Sequence, residues 1–232
     1  MYTIQEVIEF DNHLLQSVSG GGSPFLDGCI SAFLAPYMWL PMVLVLLYVL
    51  LKNNGFKNFI AIVLLAALML AASYLLTVFA LQPLSEHIRS LYDNDTLNIF
   101  DTLNAFRGNE CSHLTLTASV TSLALFLMLL VRHLAFNISL ALWVTISCFA
   151  GVYTAAYYPW DIFVGILLGI LCGTVTYSCY ASYMKRQKVR RDWVSNRYTK
   201  SGYEVSDIYF LLVVMYATYV ALPVVGFFIL PH

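Results

Sequence analysis

The chain has 232 residues, 60% of them apolar and only 11% charged, with a mean hydropathy of +0.75. Soluble domains run about 45–50% apolar and about 25% charged, which excludes a soluble globular enzyme and a disordered chain. Twelve basic residues against thirteen acidic ones give a net charge of −1, leaving no excess cations to neutralise a nucleic-acid backbone. What remains is an all-α, polytopic membrane bundle, because a helix satisfies its own backbone groups inside lipid.

At the start of the chain, Ile4, Val7, Ile8, Leu14, Leu15 and Val18 recur near helical spacing. This predicts an N-terminal interfacial helix over 3–18, ended by the glycine-rich stretch 19–24. The first eleven residues are acidic and lack the positive segment of a signal peptide, so the first span is expected to direct its own insertion. Six apolar stretches follow, at 29–51, 59–81, 114–131, 134–153, 162–184 and 208–230. Each approaches the roughly 20 helical residues needed to cross a core of about 30 Å. The chain therefore divides into an interfacial helix and linker (1–24), a membrane domain (25–184), a basic loop (185–205) and an additional C-terminal span (206–232). Five cysteines occur without a CxxC pair, four of them in apolar runs, so neither a disulfide framework nor a zinc site is expected.

The loops predict orientation. Lys52 and Lys57 lie between spans one and two, Arg132 between spans three and four, and Lys185, Arg186, Lys188, Arg190, Arg191, Arg197 and Lys200 after span five. Arg89 and Arg107 fall on the opposite side among several carboxylates. The positive-inside rule puts both termini outside, which in a bacterial inner membrane is the periplasm. The 185–200 cluster reads as a topology determinant in preference to an anionic-lipid patch.

Three polar clusters meet the membrane boundary on the outer side, at 82–90, 107–113 and 150–161. Ionisable residues at such a boundary are candidates for function. In order and spacing these clusters resemble the three motifs of the type-2 phosphatidic acid phosphatase family, K-x6-R-P, P-S-G-H and S-R-x5-H-x3-D, over about residues 25–180. Span one opens with Ser23-Pro24-Phe25-Leu26-Asp27 and span five with Tyr158-Pro159-Trp160-Asp161-Ile162-Phe163-Val164-Gly165, both similar to family members. The resemblance implies a membrane bundle with a vestibule open to the outer leaflet and activity on lipid phosphates without a cofactor. In that chemistry one Lys and two Arg clamp the phosphoryl oxygens. The third-motif His attacks phosphorus and is oriented by the Asp, while the second-motif His protonates the leaving alkoxide.

Carried onto this chain, the resemblance matches Arg89, His113 and Asp161 to the family's Arg, second-motif His and Asp. Gln82 stands in place of the Lys, Ser90 of the Pro, and Glu110, Cys111 and Ser112 of Pro-Ser-Gly. Ala150 and Gly151 replace Ser-Arg, and Tyr157 replaces the nucleophilic His. At ~4 Å and an effective dielectric of about 20, one charge contact is worth roughly 4 kcal/mol. Losing two cations and gaining Glu110 is therefore expected to weaken phosphate binding by orders of magnitude. Tyr157, with a reference pKa near 10, needs a neighbouring cation or base to act as nucleophile.

On the resemblance and these replacements the leading expectation is a pseudophosphatase, binding a lipid or serving as a membrane subunit beside a partner protein. It keeps His113, Asp161 and Tyr157 as vestigial or altered catalytic positions, with Arg89, Gln82, His87, Glu110 and Ser112 lining the pocket. The alternative is an active phosphatase on a phosphorylated lipid with rearranged chemistry. There His113 or His87 is nucleophile or base, Arg89 the clamp, and Glu110 or Asp161 the orienter. Plainer roles stand beside these: Arg89 as an interfacial anchor, His113 and Asp161 as helix caps, and Tyr157, Tyr158 and Trp160 as an aromatic belt. His87, Glu110, His113 and Asp161 match no metal-ligand spacing, so no metal is expected. Gly165, Gly169 and Gly173 read as helix packing. A transporter is the weakest reading, since no span carries a mid-membrane charge or an obvious pair of broken helices.

Overall fold

The computed structural model describes residues 23–81, 112–154, 159–186, 198–199 and 201–229, with side chains omitted at 80–81, 112–116, 159–161, 186 and 229. Among the described residues there are six α-helices and no strand: α1 (Pro24–Leu34), α2 (Leu40–Leu76), α3 (Ser112–Val131), α4 (Leu134–Tyr153), α5 (Pro159–Arg186) and α6 (Val205–Ile229). A 3₁₀ turn, Pro36–Trp39, leads into α2, and a wider π turn, Thr77–Leu81, follows it. The expected interfacial helix over 3–18 and most of the basic loop lie outside the described residues.

Among the described residues, four helical runs are long and apolar enough to cross a membrane: Pro36–Phe79, Leu134–Tyr153, Ile162–Lys185 and Val205–Phe228. The first holds 44 residues. A straight helix of that length would measure roughly 66 Å at 1.5 Å per residue, twice a hydrocarbon core. It is broken at Gly55, whose φ of 71° and ψ of 160° only glycine adopts easily. Its two arms carry most of the first two predicted spans. The first span differs in one respect: α1 stops at Leu34, because Pro36 lacks the N–H to continue it and pushes Ala35 into an extended conformation (φ −72°, ψ 117°). Pro223, by contrast, lies within a continuous α6.

The membrane signature is visible in the burial pattern. Val213, Val220 and Phe228 of α6 are 66–80% exposed, while Ser73, Ser122 and Ser139 are fully covered. Apolar outward faces with hydroxyls turned into helix contacts are what a lipid-facing bundle presents.

The chain divides into two compact units, each described by itself. The first comprises 67–125 and 146–175, besides the N-terminal stretch. Here α5 lies along α3 through a line of glycines, and the Ser73 and Ser119 hydroxyls meet at 3.3 Å between α2 and α3. Thr77 donates to the Ser73 carbonyl at 2.8 Å, which closes the π turn locally. Thr154 donates to the Ala150 carbonyl at 2.9 Å where α4 ends.

The second unit comprises 21–66, 126–145 and 176–232. α1 and α6 cross at Gly28 and Gly226, so closely that a Cβ on Gly226 would lie 2.7 Å from the Cys29 nitrogen. The break after α1 is stitched by Trp39, whose indole N–H donates to the Phe33 carbonyl at 2.8 Å. The Trp39 ring meets Phe33, Trp143 and Tyr219 edge-on at 5.1–6.0 Å, a favoured aromatic geometry.

A polar clasp closes the same unit. A tight turn pairs Tyr198 with Glu204, with Gly202 at a φ of 87°. Tyr203 is 1% exposed, and its hydroxyl accepts from the Asn54 amide at 2.7 Å. Asn53 donates to Asp207 and accepts from the Glu204 N–H, both at 2.9 Å. Lys52 pairs with Asp207 at 2.6 Å and with Glu204 at 3.4 Å. Ser201 donates to the Val131 carbonyl at 2.5 Å, satisfying an orphan acceptor at the end of α3.

Candidate functional site at the helix ends

The register of α5 on α3 is fixed by glycine. A Cβ on Gly165 would stand 3.1 Å from Thr117 Cβ, and one on Gly169 2.6 Å from Thr121 Cβ. Gly173 follows against the Ser122 carbonyl and Leu125. Both numberings rise together, so the helices run parallel. Forty-eight positions separate Gly165 from Thr117 and Gly169 from Thr121, and the same 48 separate Asp161 from His113. His113 and Asp161 thus occupy equal levels in the first turns of their helices.

α2 meets α3 at Ser73 and Ser119, and one turn binds Asn54 through Tyr203 and the Val131 carbonyl through Ser201, so the second arm of α2 starts where α3 ends and the two run antiparallel. Eight residues beyond Ser73 the π turn ends at Leu81; seven before Ser119, α3 begins at Ser112. The end of that turn, the start of α3 and the start of α5 therefore share one level of the first unit. Gln82 is the next residue along the chain. Two of these three ends are helix N-termini, whose free N–H groups and dipoles favour an anion.

The sequence candidates fall differently against this frame. Ser112, His113 and Asp161 lie on the described backbone, at first, second and third helical positions. This corrects the capping reading of His113 and Asp161, because α3 already begins at Ser112 and α5 at Pro159. Both are first-turn residues. An aspartate there still favours the dipole. Gln82, His87, Arg89, Glu110 and Tyr157 lie outside the described residues, and so does the cluster of clamping groups they would form. Among the described residues no three His, Cys, Asp or Glu gather as metal ligands.

The candidate list over the sequence omitted the hydroxyls beneath these ends. Thr117, Thr121 and Ser122 are buried along α3. Thr121 Oγ1 is buried without a hydrogen-bond partner. Their signal was Thr117 and Thr121, four residues apart like Gly165 and Gly169 of α5, with Ser122 beside them.

The described fold and these helix ends define a class: a multispan helical membrane protein with two anion-favouring helix N-termini at one level. Comparisons with known proteins sharpen this. The chain is 30% identical over 176 residues to a lipid A 4′-phosphatase of Bacteroides thetaiotaomicron, covering 75% of this chain and 78% of that protein. It is 22% identical over 178 residues to a lipid A 4′-phosphatase of Porphyromonas gingivalis, covering 76% and 75%. No protein-family model matches, and no solved structure does. At that identity and coverage the chain belongs to the lipid phosphatase family represented by these bacterial proteins. The comparisons lend nothing to a partner membrane protein, and they favour the active-phosphatase alternative over the impaired scaffold that leads on the replaced motif residues.

Proposed function

We propose that the protein is a phosphatase of the type-2 phosphatidic acid phosphatase kind, acting on a lipid A-type phosphate at the periplasmic face of the inner membrane. The observation that carries this reading is the shared level of His113 and Asp161, on two parallel helix N-termini beside the α2 end that leads to Gln82 and Arg89. Relatives named for hydrolysis of a lipid phosphate support it.

The chemistry rests on this chain's residues. The helix N-termini and Arg89 stabilise the phosphoryl oxygens, offsetting the Lys and Arg replaced by Gln82 and Gly151. His113, oriented by Asp161 or Glu110, takes a proton from water as that water attacks phosphorus. The phosphate ester bond breaks, the lipid oxygen leaves with the electron pair, and the proton held by His113 returns to it. His87 and Ser112 contact the headgroup, and Tyr157 borders it.

The protein purified into vesicles should release inorganic phosphate from 4′-phosphorylated lipid A. His113→Ala should lower the rate about 10²–10⁴-fold, the usual worth of a general acid–base group. The second reading, a lipid-binding scaffold, is favoured by the loss of the family nucleophile at Tyr157. It predicts binding of the same lipid without release of phosphate. Release abolished by Tyr157→Phe but untouched by His113→Ala would move the chemistry to the tyrosine.

A further inference from the structure

We infer that the glycine–threonine seam between α3 and α5 is a positioning device, holding His113 level with Asp161; this rests on the reading of those residues above. Packing at the seam has no slack. A Cβ on Gly169 would meet Thr121 Cβ at 2.6 Å and the Ala118 carbonyl oxygen at 2.8 Å. One on Gly173 would meet the Ser122 carbonyl oxygen at 2.9 Å. These contacts involve backbone, which a change of rotamer cannot relieve.

The independent observation is Thr121. Other helical threonines here, Thr77, Thr145, Thr174 and Thr218, donate to the carbonyl four residues back at 2.8–2.9 Å. Thr121 is 7% exposed, yet its hydroxyl has no partner. Its Cγ2 instead lies 3.0 Å from the Cβ position of Gly169. Thr121 thus lacks the hydrogen bond that those other threonines make, and its methyl faces the glycine. A buried hydroxyl without a partner normally has a reason. Here the seam begins about one turn below the candidate pair, with Thr121 and Gly169 about two turns below, and the register it sets is the 48-position offset joining His113 to Asp161.

A side chain at position 169 must push α5 off α3 or slide it along, moving Asp161 relative to His113. Gly165 has the mildest contacts, 3.1 and 3.2 Å to the Thr117 side chain, so alanine there should displace less. Gly165, Gly169, Thr117 and Thr121 are therefore positioning residues that touch no substrate.

The test is cross-linking in the full chain, in bilayer vesicles, with the five native cysteines replaced. Cysteines introduced as His113→Cys and Asp161→Cys should couple through a short bismaleimide. A second pair, Ser73→Cys with Ser119→Cys, reports whether α2 and α3 remain packed. Adding Gly169→Val should cut the first yield about tenfold and leave the second, with Gly165→Ala intermediate. Equal yields with and without Gly169→Val, or a parent pair that never couples while 73 and 119 do, would overturn the inference. If Gly169→Val abolishes both yields, Gly165→Ala decides: the first yield must drop while the second persists, and any other pattern refutes the seam. With the native residues restored at 113 and 161, Gly165→Ala should lower kcat severalfold with KM unchanged. A protein that cross-links as described but releases no phosphate would end the phosphatase reading alone.

Discussion

The seam between α3 and α5 and the clasp at 198–207 hold helices by opposite means. The seam removes side chains: glycine backbones sit against threonine methyls, and one hydroxyl goes without a partner. The clasp adds groups: Lys52, Asn53, Asn54, Tyr203, Glu204 and Asp207 share hydrogen bonds of 2.6–3.4 Å across some 150 residues of chain. Close backbone packing fixes a register to a fraction of a turn and tolerates no added atom. A polar network tolerates the loss of one bond if the remaining groups are still paired. Geometry for chemistry belongs on the first kind of support, anchorage of a loop on the second.

That difference can be broken from either side. The largest effect is expected at the clasp's one large buried ring: Tyr203→Ala should cost about 3–5 kcal/mol, the usual range for emptying an aromatic site. It should appear as a large drop in the thermal midpoint of the detergent-solubilised protein. Gly169→Ala comes next, at about 1–3 kcal/mol for overpacking a tight contact, and it should lower activity by more than its stability loss explains. Tyr203→Phe removes the hydroxyl that accepts from Asn54, while Asn54 still donates to the Leu50 carbonyl at 3.0 Å; about 1 kcal/mol is expected, with activity intact. Ser201→Ala, which frees the Val131 carbonyl, should cost a similar amount or less, read by the same melts. If Tyr203→Phe lowered phosphate release more than Gly169→Ala did, the division of labour argued here would be reversed.

The two regions also differ in how far the sequence announced them. The glycines at 165, 169 and 173 stood at helical spacing and read as helix packing, while the threonines of α3 that face them went unread. The seam's consequence, the equal level of His113 and Asp161, needed the parallel register that only the structure supplies. The clasp was not legible. Lys52 read as a topology charge and Tyr203 as a loop residue, because their partners are far away in sequence and follow no periodic pattern. Helix positions came through well, with α4 falling on 134–153 as expected, since apolar runs are bounded by the bilayer. The break at Ala35 comes from Pro36, whereas Pro223 sits inside a continuous α6. A first-turn proline after an extended residue ends a helix; a proline whose missing hydrogen bond is tolerated within a long run does not. The replaced motif residues pulled the reading toward a lost enzyme, because one charge weighs heavily in any phosphate site, and two phosphatase relatives pull it back.

The most direct measurement is phosphate release from 4′-phosphorylated lipid A by the purified protein in vesicles, beside its His113→Ala and Asp161→Asn variants. The account predicts measurable turnover in the parent chain and loss in both variants, with both still folded. No release from the parent, under conditions in which the Bacteroides thetaiotaomicron relative is active, would contradict it.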